Sequence, residues 1–134
     1  MTTDAFLDTN ILIYLLATES PKVRIAREVV ASSGVISVQV LNEFARVAQR
    51  KHSLEWGEID DYLSGFRRHL RVEPLTVATQ VRAVEIARAH RFGIYDANIL
   101  AAAELAGCRI VYSEDMQHGQ RIGALTIRNP FVEN

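Results

Sequence analysis

The sequence predicts an α/β fold in which a mostly parallel sheet carries helices on its faces. Short apolar segments of strand length alternate with longer segments whose apolar residues recur at helical spacing, and this alternation is typical of parallel sheets with helical crossovers. The chain has 134 residues, of which 49% are hydrophobic, enough for one substantial core. We therefore expect a single domain over residues 1–134.

Five strands are predicted from the short apolar segments, and helices fill the intervals between them. The strands are expected near Ala5–Leu7, Val35–Ser37, Val72–Leu75, Ile110–Tyr112 and Leu125–Ile127.

Five helices are predicted from apolar periodicity and from residues that favour helix ends. Proline after Ser20 suits a first turn, and Ser37 can cap the next helix. The helices are expected over Lys22–Ser32, from Ser37 onward, from about Glu55, from Thr76 to about Arg91, and from Asp96 to Gly107.

Composition excludes several kinds of protein. The longest apolar run, Ile11 to Ala17, is too short to span a bilayer, and the N-terminus does not have the layout of a secretory signal. Cys108 is the only cysteine, so an internal disulfide or a cysteine metal cage is ruled out. These features predict a cytoplasmic protein without a membrane span.

The formal net charge of −1 does not by itself suggest nucleic-acid binding, which usually accompanies a strongly basic balance. Nearly all of the 15 positive residues are arginines, whose planar fork suits phosphate oxygens. Arg46 and Arg50 form one local cluster, for which a solvated helix face is the alternative interpretation.

Asp8 is the acid whose position most needs an explanation. It lies between the apolar segment Ala5–Leu7 and the apolar run that starts at Ile11, where desolvating a charge is costly unless something compensates it. A bound cation is the leading explanation.

Three further acids lie in similar surroundings. They are Glu43, Asp96 and Asp115. Asp115 follows the fourth predicted strand, whereas Glu43 and Asp96 fall in the opening turns of predicted helices. Ligands of open parallel sheets bind beyond the carboxyl ends of the strands, so we expect all four acids to meet in one cleft there.

Each acid also has a purely structural explanation. Asp8 could cap a helix beginning at Ile11, Asp96 could charge a helix N-terminus, and Glu43 could pair with Arg46. Asp115 could be an ordinary turn residue. Against these, Glu43 and Asp96 share helix faces with apolar residues, which predicts partly buried surroundings.

Clustered carboxylates repel one another, and a hard divalent cation removes the conflict. The histidines have no zinc-ligand spacing, so any metal should be held by oxygen, which favours Mg²⁺ or Mn²⁺. Such a site, with one or two ions, suits phosphodiester hydrolysis. Asn10 and Ser113 are the expected polar supports, and Asn98 is a further candidate.

The residues that carry these predictions resemble those of the PIN-domain ribonucleases, in particular VapC-like toxins of toxin–antitoxin pairs. The resemblance covers nearly the whole chain. Its motifs are Phe-Leu-Asp-Thr-Asn at 6–10, Glu-Phe at 43–44, Tyr-Asp-Ala at 95–97, Ser-Glu-Asp at 113–115 and Asn-Pro-Phe at 129–131.

The resemblance implies a three-layer α/β/α domain with a central five-stranded sheet and a metal-dependent endoribonuclease activity on RNA. It implies that Asp8, Asp96 and Asp115 hold Mg²⁺ or Mn²⁺ and that Glu43 completes the site or orients water. A cognate antitoxin that blocks the cleft and a homodimer are also implied. The sequence departs from the family after Asp115, where many relatives carry a further acid, and Glu114 is the candidate substitute.

Two other functions remain open from the sequence. Haloacid-dehalogenase-like phosphatases also place an aspartate after the first strand, but they need a second aspartate two residues later, where this chain has Asn10. A catalytically silent module that binds RNA or an antitoxin is the second alternative. The four acids argue against it, because simple RNA binding favours basic residues.

Overall fold

The computed structural model describes residues 5–32 and 34–132, and its centre is a mixed sheet with the strand order β3-β2-β1-β4-β6-β5. Pairing is parallel throughout except between β5 and β6. The strands are β1 Phe6–Leu7, β2 Val35–Ser37, β3 Arg71–Glu73, β4 Ile110–Tyr112, β5 Arg121–Ile122 and β6 Leu125–Arg128.

The predicted α/β class is confirmed, but the count of five strands is wrong because β5 was missed. It forms an antiparallel hairpin with β6, in which Ile122 pairs with Leu125. Gly123 adopts a φ of +58° in the connecting turn, a left-handed conformation that glycine reaches at little cost. A two-residue strand is too short to show the alternation by which strands are recognised.

Within the described residues, six helices connect the strands. Ser37, the predicted cap, and Thr76, where a helix was predicted to begin, each accept a hydrogen bond from a backbone N–H in the following turn. The last helix begins two residues before Asp96, so Asp96 lies within its first turn. The helices are α1 Thr9–Ile13, α2 Pro21–Ala31, α3 Val38–His52, α4 Trp56–His69, α5 Val77–His90 and α6 Ile94–Leu105, with a short 3-10 turn at Tyr14–Leu16.

The order of the strands determines where the helices lie. The chain moves outward from β1 to β2 and β3, and then returns to place β4 on the other side of β1. Because parallel crossovers are right-handed, this reversal puts the helices before β3 on one face and α5 with α6 on the other. The result is the expected three-layer α/β/α arrangement.

The core lies on both faces of the sheet. Phe6, Leu7, Val35, Ile36 and Val111 have no exposed surface. Helix α6 is buried at every residue from 97 to 103, and its alanines allow close packing against α5 and the sheet. No helix within the described residues is both long enough and apolar enough to cross a bilayer.

Candidate active site

The four acids named from the sequence lie where the strand order reverses. Strands β1 and β4 are neighbours, but the chain leaves them in opposite directions across the sheet. The connections beyond their carboxyl ends therefore diverge and leave a crevice. Asp8 follows β1, and the segment that begins at Ser113 follows β4.

Asp8 serves two purposes with its two carboxylate oxygens. Oδ1 accepts a 2.7 Å hydrogen bond from the backbone N–H of Thr9 and caps α1, so the capping explanation is confirmed for a helix that begins at Thr9 instead of Ile11. Oδ2 accepts hydrogen bonds from Ser113 Oγ at 2.8 Å and from Asn10 Nδ2 at 3.2 Å. Asp8 is only 5% exposed.

Asn10 joins the segment after β1 to the segment after β4. Its Nδ2 lies 3.3 Å from both Ser113 Oγ and Asp115 Oδ2, in addition to its contact with Asp8. Its Oδ1 accepts a 3.0 Å hydrogen bond from the backbone N–H of Glu114. Asp8 and Asp115 thus lie within hydrogen-bonding distance of one nitrogen atom.

Glu43 lies in the second turn of α3 and is held by two residues that the sequence reasoning missed. Oε2 accepts a 3.1 Å hydrogen bond from Thr9 Oγ1, and Oε1 accepts a 2.7 Å hydrogen bond from Gln39 Nε2. Gln39 Nε2 also lies 3.2 Å from the carbonyl oxygen of Tyr95. No ion pair joins Glu43 to Arg46, both of which are described, so that structural explanation is wrong.

Signals for these two residues were present in the sequence. Gln39 precedes Glu43 by four residues on the same helix, a spacing at which side chains meet. Thr9 lies inside the Asp-Thr-Asn motif.

The pKa values of Asp96 and Asp8 are raised by burial and by the negative charges of other acids. Burial raises the pKa of Asp96, and the charges of Asp115 and Glu43 raise it further. Burial also raises the pKa of Asp8 to about 6; hydrogen bonds from Ser113 and Thr9 oppose this rise, whereas the charges of Asp96 and Glu43 add to it. The four carboxyl groups therefore form one electrostatic cluster.

The chemistry of this cluster fits a hard divalent cation. All candidate ligands are oxygens, and the repulsion among them is what a cation would relieve. Within residues 5–32 and 34–132, however, no three acidic, histidine or cysteine side chains are arranged as a ready ligand set. Water would have to complete the coordination, as Mg²⁺ sites usually require.

Two sequence predictions about supporting residues are wrong. The carboxylate of Glu114 lies 2.7 Å from both Lys22 Nζ and Tyr14 OH, so it is not free to replace a missing metal ligand. Burial alone would raise the pKa of Glu114, but these hydrogen bonds outweigh burial and lower it. Asn98 is buried, and its Oδ1 has no hydrogen-bond partner among the described residues. The hydrogen bonds that the acids accept come from Thr9, Asn10, Gln39 and Ser113, so Asn98 does not support them.

Two cavities meet at Glu43. One, of about 400 Å³, is lined by Asn10, Lys51 and Asp115 among others. The other, of about 530 Å³, is lined by Arg46 and Tyr95 among others. Glu43 and Val47 line both cavities, which therefore adjoin, and we call the two together the groove. Lys51 lines one part of the groove and Arg46 the other.

Comparison with known proteins agrees with this fold. A sequence model of the family described as the PIN domain matches residues 5–121. No curated protein is significantly similar in sequence to the chain.

Three solved structures resemble the chain over most of its length. A toxin–antitoxin complex from Klebsiella pneumoniae aligns with a TM-score of 0.74 and 20% identity over 95% of this chain and 98% of that one. DNA-bound VapBC from Salmonella typhimurium aligns with a TM-score of 0.70 and 23% identity, over 96% of this chain and 99% of that one. The Sarcin-Ricin loop cleaving toxin VapC20 from Mycobacterium tuberculosis aligns with a TM-score of 0.69 and 21% identity, over 83% of this chain and 89% of that one.

Proposed function

The chain belongs to the PIN domain family, and from this premise we propose that it is a metal-dependent endoribonuclease. The convergence of Asp8, Glu43, Asp96 and Asp115 at one crevice supports the proposal. These acids come from four separate segments of the chain, and burial together with the charges of the neighbouring acids raises the pKa of Asp8 and of Asp96. We propose that residues 1–134 form one PIN domain.

Under this proposal Asp8, Asp96 and Asp115 hold one or two Mg²⁺ or Mn²⁺ ions, and Glu43 completes the site or orients water. A bound divalent ion would lower the pKa of an attacking water and stabilise the leaving oxygen of the phosphodiester. Asn10 and Ser113 orient the carboxylates through their hydrogen bonds. Thr9 and Gln39 fix the carboxylate of Glu43 at the edge of the groove.

The experiment is to incubate the purified protein with single-stranded and with structured RNA, in Mn²⁺ and in EDTA, and to sequence the new RNA ends. We expect cleavage in Mn²⁺ only and its loss in Asp96→Asn. Asp60→Asn, which changes an exposed acid on α4, should cleave normally. Equal activity of Asp96→Asn and wild type would refute the proposed site.

A catalytically silent module that binds RNA or an antitoxin is the second candidate, favoured by the absence of a ready ligand set among the described side chains. Calorimetric titration with Mn²⁺ separates the two. Heat of binding that disappears in Asp8→Asn supports the nuclease. RNA binding without either metal binding or cleavage supports the silent module.

We propose that the biological role is that of the toxin in a type II toxin–antitoxin pair, acting in the cytoplasm where its RNA substrate and a cognate antitoxin are found. The similar structures include toxin–antitoxin complexes. An apolar cavity of about 530 Å³ between α2 and α4, lined by residues such as Val30, Tyr62 and Phe66, is a surface suited to an antitoxin. Co-expression with the product of the adjoining gene, followed by purification of the complex, tests this role.

We also propose a homodimer. Val77, Val81 and Val84 follow one face of α5 and are 80%, 52% and 37% exposed, and exposed apolar patches commonly mark association surfaces. Sedimentation of wild type and Val81→Lys tests whether this face joins two copies.

A further inference from the structure

Tyr95 is a large aromatic side chain that the proposed catalytic chemistry does not use. It is 72% exposed and precedes Asp96 directly in the first turn of α6. Its hydroxyl makes no hydrogen bond with any described residue. The ring therefore does not belong to the hydrophobic core. It lies beside the acids with its surface open to solvent.

The position of Tyr95 is fixed relative to the acids. Its carbonyl oxygen lies 3.2 Å from Gln39 Nε2, and the same nitrogen lies 2.7 Å from Glu43 Oε1. Gln39 is only 9% exposed, so this link between α3 and α6 is shielded from water. The backbone that carries the ring is thereby held next to Glu43.

The cavity at Tyr95 has the surfaces that a nucleotide needs. Leu75, which is 45% exposed, adds a second apolar surface to its lining. Arg46 supplies a cation that pairs with no described acid, and Asn42 supplies an exposed amide that can both donate and accept. The volume of about 530 Å³ is ample for one nucleotide.

We propose that this cavity is a nucleobase site, in which an unpaired base next to the scissile phosphate stacks on Tyr95 while Arg46 contacts the RNA backbone. This inference rests on the proposed ribonuclease function. Proteins recognise single-stranded RNA and loops by stacking unpaired bases on aromatic side chains. The new element is the position of the base, on the ring of Tyr95 beside Glu43.

Binding and crosslinking test the site without requiring cleavage. Single-stranded RNA carrying 5-iodouridine should crosslink to Tyr95 on irradiation, both in EDTA and in Mn²⁺. Loss of one stacked base typically costs 1–3 kcal/mol, which corresponds to a rise in Kd of roughly 5- to 150-fold for Tyr95→Ala. Tyr95→Phe keeps the ring and should bind within about twofold of wild type.

A set of RNAs with one base at a time replaced by an abasic ribose identifies the stacked position. One such replacement should weaken binding to wild type but not to Tyr95→Ala. Trp56→Ala is the matched control, because Trp56 is 60% exposed at the start of α4 and lines neither cavity of the groove. This variant should bind like wild type.

The outcomes separate this inference from the proposed function. Equal affinity of Tyr95→Ala and wild type for every RNA, crosslinks only to other residues, or no binding of single-stranded RNA would overturn the nucleobase site. Cleavage that persists in such a case would leave the nuclease proposal intact. Crosslinking to Tyr95 without cleavage in any metal would keep the base site and contradict the nuclease.

Discussion

The side-chain amide of Asn10 donates a hydrogen bond to the carboxylate of Asp115, although 105 residues separate them in the chain. The same Nδ2 lies 3.2 Å from Asp8 Oδ2. Two carboxylates that would otherwise repel each other thus share one neutral donor. The amide stabilises the arrangement of the acids before any ion binds.

Asn10→Asp should remove that donor and add another negative charge to the cluster. We expect the free energy of unfolding in EDTA to fall by about 1–3 kcal/mol, the typical cost of an unsatisfied or mispaired buried group. Urea denaturation measures the change. Asn42→Asp, at an exposed position of α3, should change stability little, and a similar loss in both variants would contradict the role given to Asn10.

The stability of the metal-free protein should fall as pH rises from about 4 to 6. Burial raises the pKa of Asp8 from 3.8 to about 6 in the folded protein, so over this interval the folded state keeps a proton that the unfolded state has lost. Since the folded state binds more protons, a rise in pH disfavours it, by up to about 3 kcal/mol. Well above pH 6, where Asp8 has lost its proton in both states, the contribution of Asp8 to stability should no longer change with pH.

Asp8→Asn removes this titration and should flatten that part of the pH profile. The variant should be more stable than wild type in EDTA at pH 7, because a neutral amide replaces a buried charge. It should also cleave no RNA. Thermal unfolding at a series of pH values measures the profile, and an unchanged slope between pH 4 and 6 would contradict the titration assigned to Asp8.

Glu114 should act as a positioning residue for Asp115. Its carboxylate binds Lys22 and Tyr14, and the Tyr14 ring packs against Phe131 at a centroid distance of 4.8 Å. Glu114→Gln should therefore shift the segment that carries Asp115 and lower kcat by up to roughly 100-fold, as misplaced catalytic groups do.

Lys22→Met breaks the same contact from the other side and should lower kcat similarly. The kcat of the double variant should be little lower than that of either single variant, because one substitution alone already breaks the contact between Lys22 and Glu114. The apparent Mn²⁺ affinity, measured by titration of activity, should weaken in all three. Fully additive losses, or normal Mn²⁺ affinity, would argue that Glu114 does not position Asp115.

Arg46→Ala with Arg50→Ala should weaken RNA binding and flatten its dependence on salt. Each phosphate contact with a single strand contributes a slope of about −0.7 in log K against log salt. The slope should therefore decrease in magnitude by about 1.4 if both arginines meet phosphates. Fluorescence titrations at several salt concentrations give the slope.

Arg24→Ala with Arg27→Ala is the matched control, because these two arginines of α2 pair with Glu19. That variant should keep the wild-type salt slope. An unchanged slope for the Arg46 and Arg50 variant would remove both residues from the path of the RNA.

Much of the fold could be predicted because its signals are local. Ser37 and Thr76 cap helices, as side chains that satisfy free N–H groups do wherever they occur, and continuous apolar segments became buried strands. The prediction was wrong where the local signal was weak. Strand β5 has two residues, and Val77, Val81 and Val84 correctly indicated a helix but could not show that they face outward.

By itself the sequence determined most of the element types and the mostly parallel pairing of the sheet, and it singled out the four acids as candidates, because side-chain chemistry, capping and apolar periodicity act over a few residues. Only the tertiary structure decided which partner each acid has. Asn10 donates a hydrogen bond to Asp115, Gln39 donates one to Glu43, and Glu114 accepts one from Lys22. These contacts depend on the direction in which strands and helices cross, and that geometry results from packing across the whole chain.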